Sequence, residues 1–95
     1  MAMFISLCNF TDQGIRNVKE SPKRAEAFKT MATKMGVTVK DICWTVGAYD
    51  IVVVSEGSEE AVMSALLKVS TLGNVRSQTL RAYSASEFGK FLANV

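Results

Sequence analysis

Apolar residues recur along this chain with two different spacings, and each spacing predicts one kind of element. Four short runs rich in β-branched and aromatic residues predict β-strands. The runs cover residues 3–10, 37–46, 49–55 and 74–83. Between them, apolar residues return every three or four positions, as on one face of an amphipathic helix. Ala25, Phe28 and Met31 follow this spacing before the second strand, and residues 61–72 follow it before the fourth.

Residues that favour helix ends delimit these helical segments. Side-chain hydroxyls can accept hydrogen bonds from the first N–H groups of a helix. They stand near the start of each predicted helix, at Thr11, Ser21, Ser58 and Ser84. Gly36 and Gly73 follow the two longer helices, and glycine readily adopts the left-handed conformation that ends a helix. Glu87 completes a capping-box spacing with Ser84, which predicts a short terminal helix.

The predicted elements follow the order strand, helix, strand, strand, helix, strand, with the short helix at the end. This is the order of the split βαβ, or ferredoxin-like, arrangement, in which an antiparallel four-stranded sheet carries two helices. A chain of 95 residues has room for one hydrophobic core. We therefore expect residues 1–95 to form a single ferredoxin-like domain of the α+β class.

The predicted hairpin between the second and third strands indicates which residues share a face of the sheet. Gly47-Ala48 suits a two-residue turn with glycine first. Such a turn places Trp44 opposite Ile51, and successive residues of a strand then alternate between faces. One face receives Ile42, Trp44, Val46, Tyr49, Ile51 and Val53. The other face receives Asp41, Cys43, Thr45, Asp50, Val52 and Val54.

The third strand is apolar on both faces, because Val52 and Val54 point away from the face of Ile51 and Val53. Two helices cover only one face of such a sheet, so we expect a second molecule to cover the other. Closed twofold dimers are the commonest assemblies. We predict self-association, as a homodimer or a higher homo-oligomer, with two sheets packed face to face. The alternative is a central strand whose second face is partly exposed.

Several blocks of residues occur in a fixed order along nearly the whole chain. They are Asn9-Phe10-Thr11 with Gly14, Ser21-Pro22-Lys23-Arg24, Gly47-Ala48-Tyr49-Asp50-Ile51-Val52, and Gly73-Asn74-Val75-Arg76 with Thr79 and Arg81. In these blocks the chain resembles the GYD domain family, with Gly47, Tyr49 and Asp50 as the namesake residues and Ala48 between them. The resemblance implies a dimeric α/β barrel made of two ferredoxin-like sheets. It implies no particular function and no catalytic residue.

The composition of the chain bears on metal binding and on acid–base chemistry. The chain contains no histidine, and the separation of its two cysteines, Cys8 and Cys43, matches no zinc or redox motif. Histidine is the commonest metal ligand and the commonest acid–base group near neutral pH. We therefore expect no metal and no cofactor, and we expect both cysteines to behave as small apolar residues.

The charge and hydropathy of the chain indicate whether a nucleic acid or a membrane is an expected partner. Eleven basic and nine acidic residues give a net charge of +2, which is too small to indicate a nucleic-acid partner. Most basic residues lie in or near the first helical region, among acidic residues, as on a solvated helix face; they are Arg16, Lys19, Lys23, Arg24, Lys29, Lys34 and Lys40. No apolar stretch approaches the ~18 residues of a membrane span, and no signal peptide is visible. We expect a cytoplasmic protein without a membrane partner.

Polar and aromatic residues near the strand ends are the candidates for a ligand pocket. They are Asn9, Trp44, Tyr49, Asp50, Thr79, Arg81 and Tyr83. Asp50 suits an acid–base group or a ligand anchor, and equally a carboxylate that satisfies backbone N–H groups at a hairpin. If Arg81 and Asp50 share a face, their charge pair would hold a small carboxylate or a phenol. Trp44 and Tyr49, diagonal on one face, suit either the core or a ligand platform.

Three kinds of function remain open. The first is a small-molecule-binding or sensing module, with a mostly apolar pocket between the sheets of an oligomer. The second is a cofactor-free enzyme of the isomerase or oxygenase kind, which without histidine would use Asp50, Tyr49, Tyr83 or Arg81. The third is a purely structural or interaction oligomer. The sequence favours the binding module, and it identifies neither the ligand nor any catalytic residue.

Overall fold

The computed structural model describes residues 2–95, which form one antiparallel sheet with helices packed on one side. The strands are β1 (Ala2–Phe10), β2 (Thr38–Trp44), β3 (Ile51–Gly57) and β4 (Val75–Ala82). The helices are α1 (Asp12–Arg16), α2 (Ser21–Lys34), α3 (Glu59–Ser70) and α4 (Ala85–Leu92), with a 3₁₀ turn at Val18–Glu20. The predicted order of elements is confirmed, and α1 and the 3₁₀ turn precede the first long helix.

The strands lie in the order β2-β3-β1-β4, and each neighbouring pair is antiparallel. The two central strands, β1 and β3, are therefore not joined directly, and each is followed by a helical segment that returns over the same face of the sheet. This topology confirms the predicted ferredoxin-like α+β fold. Side-chain caps form at three of the four expected positions, Thr11, Ser58 and Ser84, and Ser84 with Glu87 forms a complete capping box. The predicted cap at Ser21 is wrong, because Ser21 is the first residue of α2 and the N-cap position belongs to Glu20, whose side chain makes no capping bond.

Burial along β1 alternates with a period of two, which distinguishes the helix face of the sheet from its outer face. Phe4, Ser6 and Cys8 are buried beneath the helices, whereas Ile5 and Leu7 are half-buried on the outer face. The helix face packs against α2 and α3 in two clusters. One contains Phe4, Ala32, Val37, Val62 and Ala65, and the other contains Cys8, Ile51 and Val53.

The hairpin between β2 and β3 has the predicted register but a different turn. Trp44 pairs with Ile51, as expected. The last cross-strand hydrogen bond runs from the N–H of Thr45 to the carbonyl of Asp50 at 2.8 Å. The connection is therefore a four-residue loop rather than the two-residue turn. Because the strand pleat ends before this loop, the prediction that Val46 and Tyr49 continue the core face is wrong, and Val46 is fully exposed.

The outer face of the sheet carries an apolar patch that we call the outer patch. Its members are Ile5, Leu7, Val52, Val54 and Leu80, which strand register places side by side. All five are at least partly exposed, with Leu80 at 44%. The helices that bury the other face leave this one uncovered within residues 2–95. The third strand is thus apolar on both sides, as the sequence indicated.

Candidate functional site

A partly open cavity of about 320 Å³ lies between the sheet and the two long helices. Its floor on the sheet is formed by Cys8, Ile51 and Val53. Its walls are apolar side chains of α2 and α3, including Phe28 and Val69. The cavity is therefore bounded by the sheet on one side and by α2 and α3 on the other.

The cavity is polar at one end only. Ser21 and Arg24, which lie three residues apart in the first turn of α2, face Asn74 from the loop between α3 and β4. Residues three apart on a helix share a face. No carboxylate of the described residues lines the cavity. Apart from the Cys8 thiol, the polar lining therefore consists of hydrogen-bond donors and neutral acceptors, and its only formal charge is that of Arg24.

This polar end is held by hydrogen bonds between the start of α1 and the loop before β4. The hydroxyl of Thr11 donates to the carbonyl of Gly73 at 2.5 Å. The amide of Gln13 donates to the carbonyl of Leu72 at 3.0 Å and to the Asn74 side-chain oxygen at 2.9 Å. The start of α1 follows β1, and the loop with Gly73 and Asn74 leads into β4. These hydrogen bonds therefore fix the polar end of the cavity to the sheet.

Arg24 is half-buried and is oriented by backbone carbonyls rather than by a carboxylate. Its Nη1 donates to the carbonyl of Asn17 at 3.0 Å, and its Nη2 donates to that of Gly14 at 3.4 Å. Within residues 2–95 four ion pairs form, and Arg24 belongs to none of them. The guanidinium keeps a full positive charge beside an apolar space.

Ser21 connects the same end of the cavity to β2. It is 4% exposed, and its Oγ accepts a hydrogen bond from Nε1 of Trp44 at 2.9 Å. This is the one side-chain hydrogen bond that Ser21 makes among the described residues, and in it the hydroxyl serves as the acceptor. The hydroxyl proton has no acceptor of its own among the described residues.

Cys8 places a thiol in the floor of the cavity. The side chain is 5% exposed, and burial raises its pKa from an ordinary value of 9.0 to about 11. A raised thiol pKa means that the protonated, uncharged form persists through the neutral range. Because the thiolate is the nucleophile, Cys8 acts as an apolar floor residue and is not an activated nucleophile.

We expect Cys8 to react slowly with thiol reagents while the protein is folded. The Cys43→Ser variant leaves Cys8 as its single cysteine, so labelling with a chromogenic disulfide at pH 8 reports on Cys8 alone. The rise in pKa from 9.0 to about 11 lowers the thiolate fraction by about a hundredfold, and burial slows the reagent further. A native rate within tenfold of the rate in denaturant would contradict this assignment.

The seven residues proposed from sequence are dispersed over the fold, and none of them lines this cavity. Asn9 donates to the carbonyl of Ala48 at 2.8 Å. Asp50 accepts from the N–H of Phe10 at 2.9 Å, which is the structural role that the sequence offered for it. These contacts fasten the β2–β3 loop to the end of β1.

Trp44 and Tyr49 lie on opposite faces of the sheet, so the prediction that they share one is wrong. Trp44 contacts α2 through Ser21, whereas the Tyr49 hydroxyl lies 3.1 Å from Oε1 of Gln78, a residue of the outer face. The reason is the loop, which releases Tyr49 from the strand pleat. Thr79, on the helix face, shares a hydrogen bond of 2.9 Å with the hydroxyl of Ser6.

Arg81 lies at the opposite end of β1 from Asp50, so the condition for a charge pair between them is not met. Strand register puts Arg81 beside Phe4, whereas Asp50 bonds to Phe10. The guanidinium of Arg81 instead stacks on the ring of Tyr83, 4.3 Å from its centroid, and pairs with Glu87 at 3.8 Å. Its role is to hold α4 against the end of the sheet.

Comparison with known proteins places this architecture in a family. The GYD domain matches residues 4–92. The chain belongs to the GYD domain family. No curated protein matches it. Most of the sequence blocks that carried the resemblance lie together in this GYD domain, at the polar end of the cavity. The residues that represent them there contact one another directly or through Gln13; they are Thr11, Gly14, Arg24 and Asn74.

Sequence reasoning missed the residues that give this GYD domain its polar cavity end. The sequence pattern assigns Arg24 to the solvated basic residues, Ser21 to a helix cap and Asn74 to a helix stop. The available signal was that Arg24 lies in the same helical turn as Ser21 and on the side of the apolar stripe containing Phe28.

Two further observations limit the chemistry of the GYD domain. Within residues 2–95 no group of three or more histidine, cysteine, aspartate or glutamate side chains is arranged to hold a metal ion. None of the described helices is both long enough and apolar enough to cross a bilayer.

Proposed function

We propose that this GYD domain binds a small, largely apolar molecule in the cavity between α2, α3 and the sheet. The observation that supports the proposal is the cavity itself, about 320 Å³ lined almost entirely by apolar side chains. Protein interiors pack as densely as organic crystals and leave few voids larger than a water molecule. A space of this size in a 95-residue chain is therefore better explained as a binding site than as a packing defect.

The volume sets the size of the molecule. Ligand pockets usually begin at about 300 Å³, and an apolar cavity of about 150 Å³ is enough to bind benzene. By proportion, the cavity accommodates a body of about twelve non-hydrogen atoms. The pocket between two sheets that the sequence favoured stays a prediction, since it needs a partner. The cavity proposed here lies on the other side of the sheet and is complete in one chain.

The proposal is tested by filling the cavity. Ala25 lines it from α2 and is half-buried. In the Ala25→Trp variant the indole takes the space that a ligand needs, so we expect the affinity for 1-decanol to fall at least tenfold. Binding is measured by NMR titration, and the shifts should centre on Ile51, Val53 and Val69. Thermal unfolding should show no loss of stability, since filling a cavity tends to stabilise.

The matched control is Ala85→Trp, which adds the same indole to an exposed position of α4. It should leave the affinity for 1-decanol unchanged. The proposal is wrong if the wild-type protein shows no saturable binding of 1-decanol or of its carboxylate counterpart. It is also wrong if Ala85→Trp and Ala25→Trp weaken binding equally.

We also propose that the outer patch is covered by a second copy of the chain. A monomer seldom leaves a contiguous apolar patch of this kind in water, and a twofold dimer buries the same patch on both molecules. The patch and the cavity lie on opposite faces of the sheet, so pairing would leave the cavity open.

A further inference from the structure

We propose that the ligand is an amphipathic acid, with one carboxylate bound by Arg24 and Ser21 and an apolar body of about ten carbons extending between α2 and α3. This inference rests on the proposed function, because it assigns the class of molecule that the cavity takes. The volume and the apolar walls account for the body of the ligand. The charge and the hydrogen-bond donors at the polar end account for its head.

Among residues 2–95 the guanidinium of Arg24 has no anionic partner. The acidic residues of the four ion pairs are Glu20, Glu26, Glu56 and Glu87, and all of them pair with other basic residues. Among the described residues, Arg24 donates to the neutral carbonyls of Gly14 and Asn17. A guanidinium has five N–H groups, and these bonds use two of them. The two backbone bonds also fix the group in place before a ligand arrives.

An unpaired guanidinium beside an apolar cavity favours an anion over a neutral group. Charge-assisted hydrogen bonds are roughly twice as strong as neutral ones, and attraction between opposite charges increases where apolar walls exclude water. Arginine also matches the planar geometry of a carboxylate with two parallel hydrogen bonds. One cation without a second beside it matches a singly charged head group.

The other polar groups at this end can also donate. The Ser21 hydroxyl accepts from Trp44, which leaves its proton free to donate. The side-chain oxygen of Asn74 accepts from Gln13, which leaves its amide N–H groups free to donate. A carboxylate offers two oxygens with about four acceptor positions, so it can satisfy these donors together with Arg24. A protonated amine would meet donors and a positive charge instead.

The test compares three ligands of equal chain length at pH 8, namely decanoate, 1-decanol and decylamine. Carboxylic acids are ionised and alkylamines are protonated at this pH. We expect decanoate to bind at least tenfold more tightly than 1-decanol, and decylamine to bind most weakly. Arg24→Gln should abolish the preference for decanoate over 1-decanol.

Lys23→Gln is the matched control, because Lys23 lies beside Arg24 in the chain but has an 87% exposed side chain that is paired with Glu20. It should keep the full preference for decanoate. Arg24→Lys keeps the charge and loses the two backbone hydrogen bonds, so it should retain part of the preference. This second variant also provides a comparison if Arg24→Gln folds poorly.

The outcomes separate the two proposals. Equal binding of decanoate and 1-decanol to the wild-type protein would overturn the carboxylate assignment and leave the cavity proposal standing. The same conclusion would follow if Arg24→Gln and Lys23→Gln reduced the preference equally. Absence of saturable binding for all three ligands would overturn the proposed function itself.

Discussion

Replacing Gly14 by alanine is expected to lower the free energy of unfolding by about 3 kcal/mol, the largest effect on stability that we predict. A Cβ at this position would overlap the carbonyl oxygen of Asn74 and lie 2.9 Å from its carbonyl carbon. Neither backbone can easily move away, because the N–H of Thr11 donates to that same Asn74 carbonyl at 3.1 Å and the N–H of Gly14 donates to the Thr11 hydroxyl.

Chemical denaturation and thermal unfolding measure this effect. For a chain of this size, about 3 kcal/mol corresponds to a fall in melting temperature on the order of 15 °C. Gly89→Ala is the matched control, because a Cβ on Gly89, in the exposed α4, would meet no atom within 4 Å. Alanine is favoured over glycine inside helices by about 0.5–1 kcal/mol, so this variant should be unchanged or slightly more stable. A loss below about 1 kcal/mol for Gly14→Ala would show that the two segments are not tightly fixed.

Replacing Leu80 by aspartate is expected to convert the proposed dimer into a monomer. Leu80 lies in the outer patch, opposite Ile5, and is 44% exposed in the single chain. The isolated fold should therefore tolerate the change. Between two packed sheets, however, each chain would bury an unpaired carboxylate, at a cost of about 4 kcal/mol to the association. That corresponds to a rise in the dissociation constant of roughly a thousandfold.

Analytical ultracentrifugation over a range of concentrations measures the shift. Leu67→Asp is the control, because Leu67 lies on α3, on the other side of the sheet, and is 69% exposed. Aspartate is chosen because its short side chain cannot extend its charge out of an interface, as lysine does. A wild-type protein that is monomeric at micromolar concentration would contradict the proposed pairing. Equal effects of Leu80→Asp and Leu67→Asp would contradict the assignment of the interface to the outer patch.

The elements of the fold could be predicted because their signals are local. The strand β1 and the helices α2 and α3 follow from apolar spacing that a single segment contains. The caps at Thr11, Ser58 and Ser84 also depend on residues only three positions away. The register of the hairpin followed from the position of Gly47, even though the loop proved longer than two residues.

The candidate site could not be predicted in the same way, because it depends on contacts between distant parts of the chain. The polar end combines Arg24 of α2, Asn74 before β4 and the start of α1. Thr11 and Gln13 bond there to residues 59 to 62 positions further along the chain. Whether Asp50 and Arg81 meet also depends on tertiary structure. Both residues are near strand ends, but strand direction puts Arg81 beside Phe4 and Asp50 beside Phe10, at opposite ends of β1.

The sequence by itself determined the α+β class, the order of the elements and the two apolar faces of β3, because residue spacing encodes which side of a strand or helix meets an apolar neighbour. Only the tertiary structure decided that α2 and α3 leave a cavity over Cys8, Ile51 and Val53. It also decided that Arg24 would border this cavity without a carboxylate partner. Spacing between helices and the pairing of charges depend on three-dimensional distance, which periodicity along one segment does not specify.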